Sequence, residues 1–277
     1  MVQIITDSSV LYTVEEAKAA GFEAVPLCVS IGDFNGRDLQ VDMEDFYARI
    51  KAGQHPTSSQ PPIGDVVEIY EKYPEDEIIN ISMADGLSGT YQSAYMAKGM
   101  VENSDRITVI NSKTLCGPHR YMVEKAHKMK EAGHKAKEIV AWLMAATEKH
   151  ESFLIPQDFA FLRRGGRLTP MAAALGSVLK LKPVMTQTPD GKRLDKFTIK
   201  RTMNSAIKAV VEHMKEKGVG KDHLIYISHA DALKDALNAK KMIEEAIEGA
   251  VIKILELSPV FVTQGGPQCV AIQYIEK

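Results

Sequence analysis

The feature that most constrains this chain is a repeated change of period. Short β-branched runs at residues 2–6, 78–82, 106–110, 224–228 and 251–257 alternate with longer segments whose apolar residues recur every three or four positions. The longer segments predict helices over 15–20, 43–52, 64–73, 90–101, 121–130, 136–149, 203–217 and 233–247. Strand followed by helix, several times over, predicts an α/β fold in which helices cover the faces of mostly parallel sheets. At 277 residues the chain exceeds one domain of about 150. Residues 152–167 show neither period, and placing the boundary at their start gives domains 1–151 and 152–277. A small-residue segment, 171–181, and the turn Pro189-Asp190-Gly191 follow.

Charge narrows the partners. With 34 Lys and Arg against 36 Asp and Glu, the net charge of −2 offers no bulk attraction to nucleic acid or to an anionic membrane. The opening residues Met1-Val2-Gln3-Ile4-Ile5 carry no basic leader, and no apolar run approaches the roughly 18 residues of a membrane span, so a cytoplasmic protein without a transmembrane segment is expected. Cys28, Cys116 and Cys269 lie far apart without metal-ligand spacing, and the eight histidines contain no His-x-x-x-His pair. Reduced, buried cysteines and no metal are expected.

Five polar or glycine-rich stretches follow predicted strands or punctuate loops, the places where open α/β sheets bind ligands and helix N-termini present unpaired amides. In Leu87-Ser88-Gly89-Thr90, either Ser88 simply caps the following helix, or the hydroxyls and first amides bind a carboxylate or phosphate that Gly89 lets approach. No Walker pattern singles out nucleotide phosphate. Thr57-Ser58-Ser59-Gln60 places three hydroxyls and an amide before Pro61 and Pro62, which fix an extended chain; it is a solvated loop or a ligand site. Asp7-Ser8-Ser9 reads as a turn cap, and His229 as a structural histidine. Arg163-Arg164-Gly165-Gly166-Arg167 reads as a tight basic loop, either solvated or set to meet a phosphate or an acidic protein surface. The fifth stretch is Gln264-Gly265-Gly266-Pro267. Met171, Met185 and Met203, with Leu175, Val178, Leu179 and Leu181, read as core or as the lining of a lipid tunnel.

Taken in this order, these stretches resemble the DegV family, whose members bind a fatty acid and include the fatty-acid-binding component of bacterial fatty-acid kinase. The likeness runs nearly end to end. It rests on Thr6-Asp7-Ser8-Ser9, Ser58-Ser59-Gln60-Pro61, Ile81-Ser82 with Leu87-Ser88-Gly89-Thr90-Tyr91-Gln92-Ser93-Ala94, Leu162-Arg163-Arg164-Gly165-Gly166-Arg167-Leu168, Leu181-Lys182-Pro183-Val184 and Ser258-Pro259-Val260. The resemblance implies two α/β domains, an amino-terminal one with a parallel sheet and carboxylate-binding loops and a mixed carboxy-terminal one packing over the lipid tail. It implies that Ser58, where the family usually has Thr, and Ser88 hydrogen-bond the lipid carboxylate, helped by the amides of Gly89 and Thr90. Two departures stand out. Asn111-Ser112 replaces a common Asp-Ser, with Gly117-Pro118-His119-Arg120 where a small, glycine-rich helix start is usual, and Gln264 stands near a position often held by His.

The expectation is therefore a non-enzymatic carrier, without cofactor, that binds one long-chain fatty acid through Ser58, Ser88, Gly89, Thr90 and Gln264. It would present the carboxylate to a separate fatty-acid kinase, with Arg163, Arg164 and Arg167 as the partner contact. The rival expectation is a transferase or hydrolase acting on a phosphorylated small molecule, with Asp7 and His229 as acid and base and the arginines on phosphate.

Overall fold

A computed structural model describes residues 1–175 and 181–277, which form two compact units, Met1–Glu148 and Lys149–Lys277. In the first, β1 (Val2–Asp7) leads through α1 (Val14–Ala19) to β2 (Glu23–Val25). Next come β3 (Cys28–Ile31), β4 (Phe34–Arg37), α2 (Met43–Lys51) and β5 (Thr57–Ser59), the strands pairing antiparallel in the order β4-β3-β5. This small sheet was absent from the pattern because its strands are only three or four residues long. Then α3 (Ile63–Glu71), β6 (Glu77–Ser82), α4 (Thr90–Lys98), β7 (Ile107–Asn111), α5 (Cys116–Glu131) and α6 (Ala136–Ala146) complete the unit.

Strands β2-β1-β6-β7 form one all-parallel sheet. Neighbouring residues Ile4 and Ile5, and likewise Ile78 and Ile79, are all buried, the pattern of strands covered on both faces, and this is why the sequence shows unbroken β-branched runs there. The chain moves from β1 to β2 on one side and returns as β6 and β7 on the other. The order thus reverses between β1 and β6, whose carboxyl ends flank the crevice where such sheets bind ligands.

A hydrogen-bonded chain seats α4 on this sheet. The Ser82 hydroxyl donates to Asn80 (3.0 Å), the Asn80 amide to the Tyr70 hydroxyl (2.8 Å), and Tyr70 to the carbonyl of Ala94 (3.2 Å). Burial holds the Tyr70 phenol protonated, far above its usual range.

The second unit runs β8 (His150–Ile155), α7 (Phe159–Gly165), α8 (Pro170–Ala173), β9 (Lys182–Gln187), β10 (Leu194–Lys200), α9 (Met203–Glu216), β11 (His223–His229), α10 (Leu233–Ala246), β12 (Val251–Glu256), α11 (Pro259–Gly265) and β13 (Val270–Glu276). Its sheet order is β10-β9-β8-β13-β11-β12, with only β11 and β12 parallel. Mostly parallel sheets are therefore found in the first unit and not in the second, where β9 and β10 form a hairpin around Pro189-Asp190-Gly191 and β13 inserts between β8 and β11. Ile207, Val210, Ile225, Ile227, Ile243 and Ile272 belong to the large core shared with α9 and α10. Phe159, Leu162, Ala172 and Met185, with Leu175 against them, make a separate smaller one.

Residues 152–167, expected to lack regular structure, hold most of β8 and all of α7. Strand β8 hid its period because its polar residues have inward partners: His213 (2.6 Å) and Tyr274 (2.7 Å) donate to Glu151, and Gln273 donates to Ser152 (2.8 Å). Helix α7 spans only seven residues, too few for a repeat to show. Of the proposed core or tunnel residues, Met185 is buried and Met203 packs against the large core, but Met171 (78% exposed) and Leu181 (38%) face solvent. Val178 and Leu179 lie outside the described residues. Cys116 and Cys269 are buried as expected, whereas Cys28 is only half-buried, with Arg37 donating to its sulfur at 3.1 Å.

Removing one hydroxyl tests the seating of α4. Tyr70→Phe leaves a buried Asn80 donor and the Ala94 carbonyl without their shared partner, and should lower unfolding free energy by about 1–3 kcal/mol in a urea titration; an unchanged midpoint would show that the hydroxyl contributes nothing.

Candidate anion site at the carboxyl end of the first sheet

After β6 the chain turns sharply, and three successive amides find acceptors from neighbouring segments. Met83 N–H donates to Asp7 Oδ2 (2.9 Å), Ala84 N–H to the Thr114 carbonyl (2.8 Å) and Asp85 N–H to Asn111 Oδ1 (3.1 Å). The loop 83–88 is thus tied to the ends of β1 and β7. Asn111 Oδ1 also accepts from Lys113 N–H (2.9 Å), so this Asn serves two amides with a neutral oxygen. A carboxylate in its place would accept the same pair, which accounts for the Asn111-Ser112 departure in physical terms. Asp7 is the cap that the sequence suggested: its second oxygen accepts from Ser9 N–H (2.9 Å), and the residue is 2% exposed. As the acid or base of a hydrolase it is already engaged on both oxygens.

Behind Asp7 stands a fully buried histidine whose role was not read from the sequence. His119, in the first turns of α5, has Nε2 3.0 Å from the Ile81 carbonyl and Nδ1 2.9 Å from Ser9 Oγ. With Nε2–H donating to the carbonyl, Nδ1 accepts from the Ser9 hydroxyl and the ring is neutral. Thr6 also donates to Ile81 O (2.9 Å). The sequence marked His119 only as part of a departure from a glycine-rich helix start, with no role attached. Ser8 completes the layer by donating to Asp38 (2.8 Å) and accepting from Leu27 N–H (3.1 Å).

The loop held by these contacts delivers Ser88, Gly89 and Thr90. The Ser88 and Thr90 hydroxyls lie 2.7 Å apart, and Thr90 N–H reaches Ser88 Oγ at 3.3 Å. Gly89 occupies the N-cap position of the nine-residue α4 without a side-chain cap. Ser88 therefore takes one helix amide and shares its hydroxyl with Thr90, leaving a compact uncharged cluster of hydroxyls and first-turn amides at a helix start. Small residues on the inner face of α4, Ser93, Ala94 and Ala97, are buried and let the helix sit close to the sheet.

The structure joins the two hydroxyl-rich stretches that the sequence showed separately. Ser58 is half-buried on β5, paired with Val29, and two residues on the carboxamide of Gln60 rests directly against Gly89, where any Cβ would collide with it. A side chain at residue 89 would have to displace that carboxamide.

Gln264 lies in the second unit, on α11, where its carboxamide packs against Gly165 of α7 as closely as Gln60 does against Gly89. Its Nε2 donates to Thr263 Oγ1 (3.3 Å), while Oε1 is buried with no hydrogen-bond partner among the described residues. The arginine segment is not the tight loop expected. Arg163 and Arg164 form the last turn of α7, Gly166 ends it in the left-handed region (φ 72°), and Arg167 donates back to the Gly165 carbonyl. Arg164 stacks 4.5 Å from the Phe161 ring centre, and Arg163 is exposed. His229 is buried at the end of β11 and accepts from Ala232 N–H (3.4 Å), a structural contact. Among the described residues no helix is long and apolar enough to cross a membrane, and no three His, Cys, Asp or Glu side chains cluster as metal ligands.

Comparison with known proteins places these features in a lineage. A family model described as "uncharacterised protein, DegV family" matches residues 1–277. A DegV domain-containing protein of Staphylococcus aureus is 32% identical over 246 residues, covering 85% of this chain and 86% of the relative. The crystal structure of DegV from Bacillus subtilis, described as a fatty acid binding protein, is similar with a TM-score of 0.86 and 27% identity, covering 100% and 99% of the two chains. A fatty-acid-binding DegV family protein of Thermus thermophilus shares the fold with a TM-score of 0.88 at 24% identity, covering 100% and 99%.

The buried imidazole gives the site layer a pH dependence. Burial disfavours the charged ring and lowers the His119 pKa from 6.5, against the opposing pull of Asp7 and the Ile81 hydrogen bond. The unfolded chain then binds the extra proton first. Stability owed to neutral His119 is complete above about pH 6.5 and is lost as pH falls toward the lowered folded-state value. The melting temperature should drop more steeply between pH 7 and 5.5 in the natural chain than in His119→Gln; parallel curves would mean that His119 does not titrate with unfolding.

Proposed function

The chain belongs to the DegV family, and from that premise we propose that it is a non-enzymatic carrier that binds one long-chain fatty acid and offers its carboxylate to a separate kinase for acyl-phosphate formation. The observation that carries this reading is the whole-length likeness to a Bacillus subtilis protein described as fatty-acid-binding. The Ser88, Gly89 and Thr90 cluster supplies suitable donors for the head group, with Ser58 as a further hydroxyl. A carboxylate can leave water beside such a cluster only if several donors satisfy it, which two or three hydroxyls and the first amides of α4 do. Affinity comes from the tail: at about 0.8 kcal/mol per buried methylene, roughly fourteen of them contribute on the order of 11 kcal/mol, against about 1.5–3 for each hydrogen bond to a charged head. The carrier itself makes and breaks no covalent bond.

Denaturing the purified protein and extracting it with organic solvent should release near-stoichiometric fatty acid, identified by mass spectrometry; an empty extract from protein that also fails to take up added palmitic acid would overturn the reading. In binding titrations, Ser88→Ala and Ser58→Ala should each weaken fatty-acid affinity by about 1–3 kcal/mol while the melting temperature of the unloaded protein stays within a few degrees. Equal losses of affinity and stability would make these hydroxyls structural.

Arg163 and Arg167 give the carrier a basic feature for an acidic patch on the kinase. Reversing both to Glu should slow acyl-phosphate production by a cognate kinase and reduce its salt sensitivity, with fatty-acid binding retained. Loss of binding in that variant would assign the segment to the lipid site instead.

A further inference from the structure

The contact between Gln60 and Gly89 goes further than joining two loops. Gln60 is exposed, and its carboxamide makes no hydrogen bond among the described residues. It nevertheless lies where a Cβ of Gly89 would stand, at the residue that opens α4 between Ser88 and Thr90. Its backbone is fixed from both sides: β5 pairs with β3 through residues 57–59, and Pro61 and Pro62 follow at once. An exposed glutamine ordinarily turns outward to water and leaves no mark on its neighbours. This one occupies the space of a missing side chain at residue 89, its carbonyl oxygen turned toward that residue and its amide nitrogen further out, where both hydrogens are left for a ligand.

We infer that Gln60 is a specificity-determining residue of the head-group site, resting on Gly89 and donating an amide hydrogen to the bound carboxylate. This rests on the carrier reading above. The residue requirement follows from charge and shape together. Glutamate fills the same space but brings a negative charge and no donor at neutral pH, so it repels a carboxylate head group; alanine removes the donor without adding repulsion.

The ranking of two variants separates this role from packing. Palmitic acid affinity is measured at pH 7.5 by titration calorimetry for the natural chain, Gln60→Glu and Gln60→Ala, alongside the melting temperature of each unloaded protein. The expected result is a loss of at least tenfold in Gln60→Glu, a smaller loss of a few-fold in Gln60→Ala, and melting temperatures unchanged within about two degrees, as befits an exposed side chain. Gly89→Ala, which must displace the carboxamide, should resemble Gln60→Ala. A merely space-filling glutamine would be replaced without loss by its isostere glutamate and harmed more by alanine; that order, or equal affinities in all chains, overturns the inference while leaving the carrier reading intact. Failure of the natural chain to bind palmitic acid overturns both.

Discussion

The amino-terminal unit depends on one buried carboxylate. Asp7 lies at the end of β1 with both oxygens taken by main-chain amides, one from its own turn and one from the first residue after β6. A charged group this deeply enclosed is tolerable only because those amides, with the polar layer of Thr6, Ser8, Ser9 and His119 around it, replace water. The same bonds fix where two adjacent strands stop. They set the origin of the loop that carries Ser88, so the geometry of the candidate site is inherited from a capping interaction that touches no ligand.

How much of this could be read from residues alone varied with the length and partners of each element. Strands β1, β6 and β7 of the parallel sheet were legible because strands covered on both faces must be continuously apolar, whereas the three residues of β2 were too few to show; the long helices α9 and α10 were legible because several turns display their period. Strand β8 was not, since Glu151 and Ser152 are polar residues with partners contributed by α9 and β13, far away in sequence. The site divided in the same way. Ser88, Gly89 and Thr90 declared themselves as a loop opening a helix, and Asp7 as a cap. The link from Gln60 to Gly89, and the burial of His119 behind Ser9, are contacts between segments about 30 and 110 residues apart that no local pattern encodes.

Glycine-rich marks in the two units have unlike causes. At Gly89 a glutamine carboxamide lies over a helix start. In the second unit, Gly165 is bare where α7 meets Gln264 of α11, and Gly265 where Cys269 fills the gap, its thiol pushed up to about 12 by burial. There the glycines are spacers between closely packed segments. The arginine motif accordingly combines several demands: Gly165 serves internal packing, Gly166 supplies the left-handed residue that ends α7, and Arg163 remains on the surface.

The placement of β13 between β8 and β11 has a consequence for synthesis. Residues 270–276 follow every other described strand and leave the ribosome after them, yet they form the middle of a six-stranded sheet whose neighbours begin at residues 150 and 223. The amino-terminal sheet needs nothing beyond residue 111 to pair all its strands and can close while translation continues. In the carboxy-terminal unit, β8 and β11 must wait for a partner more than a hundred residues behind the first of them. During that interval Ile155, Ile225 and Ile227 have no completed core, so this half of the chain keeps apolar surface open for longer than the other.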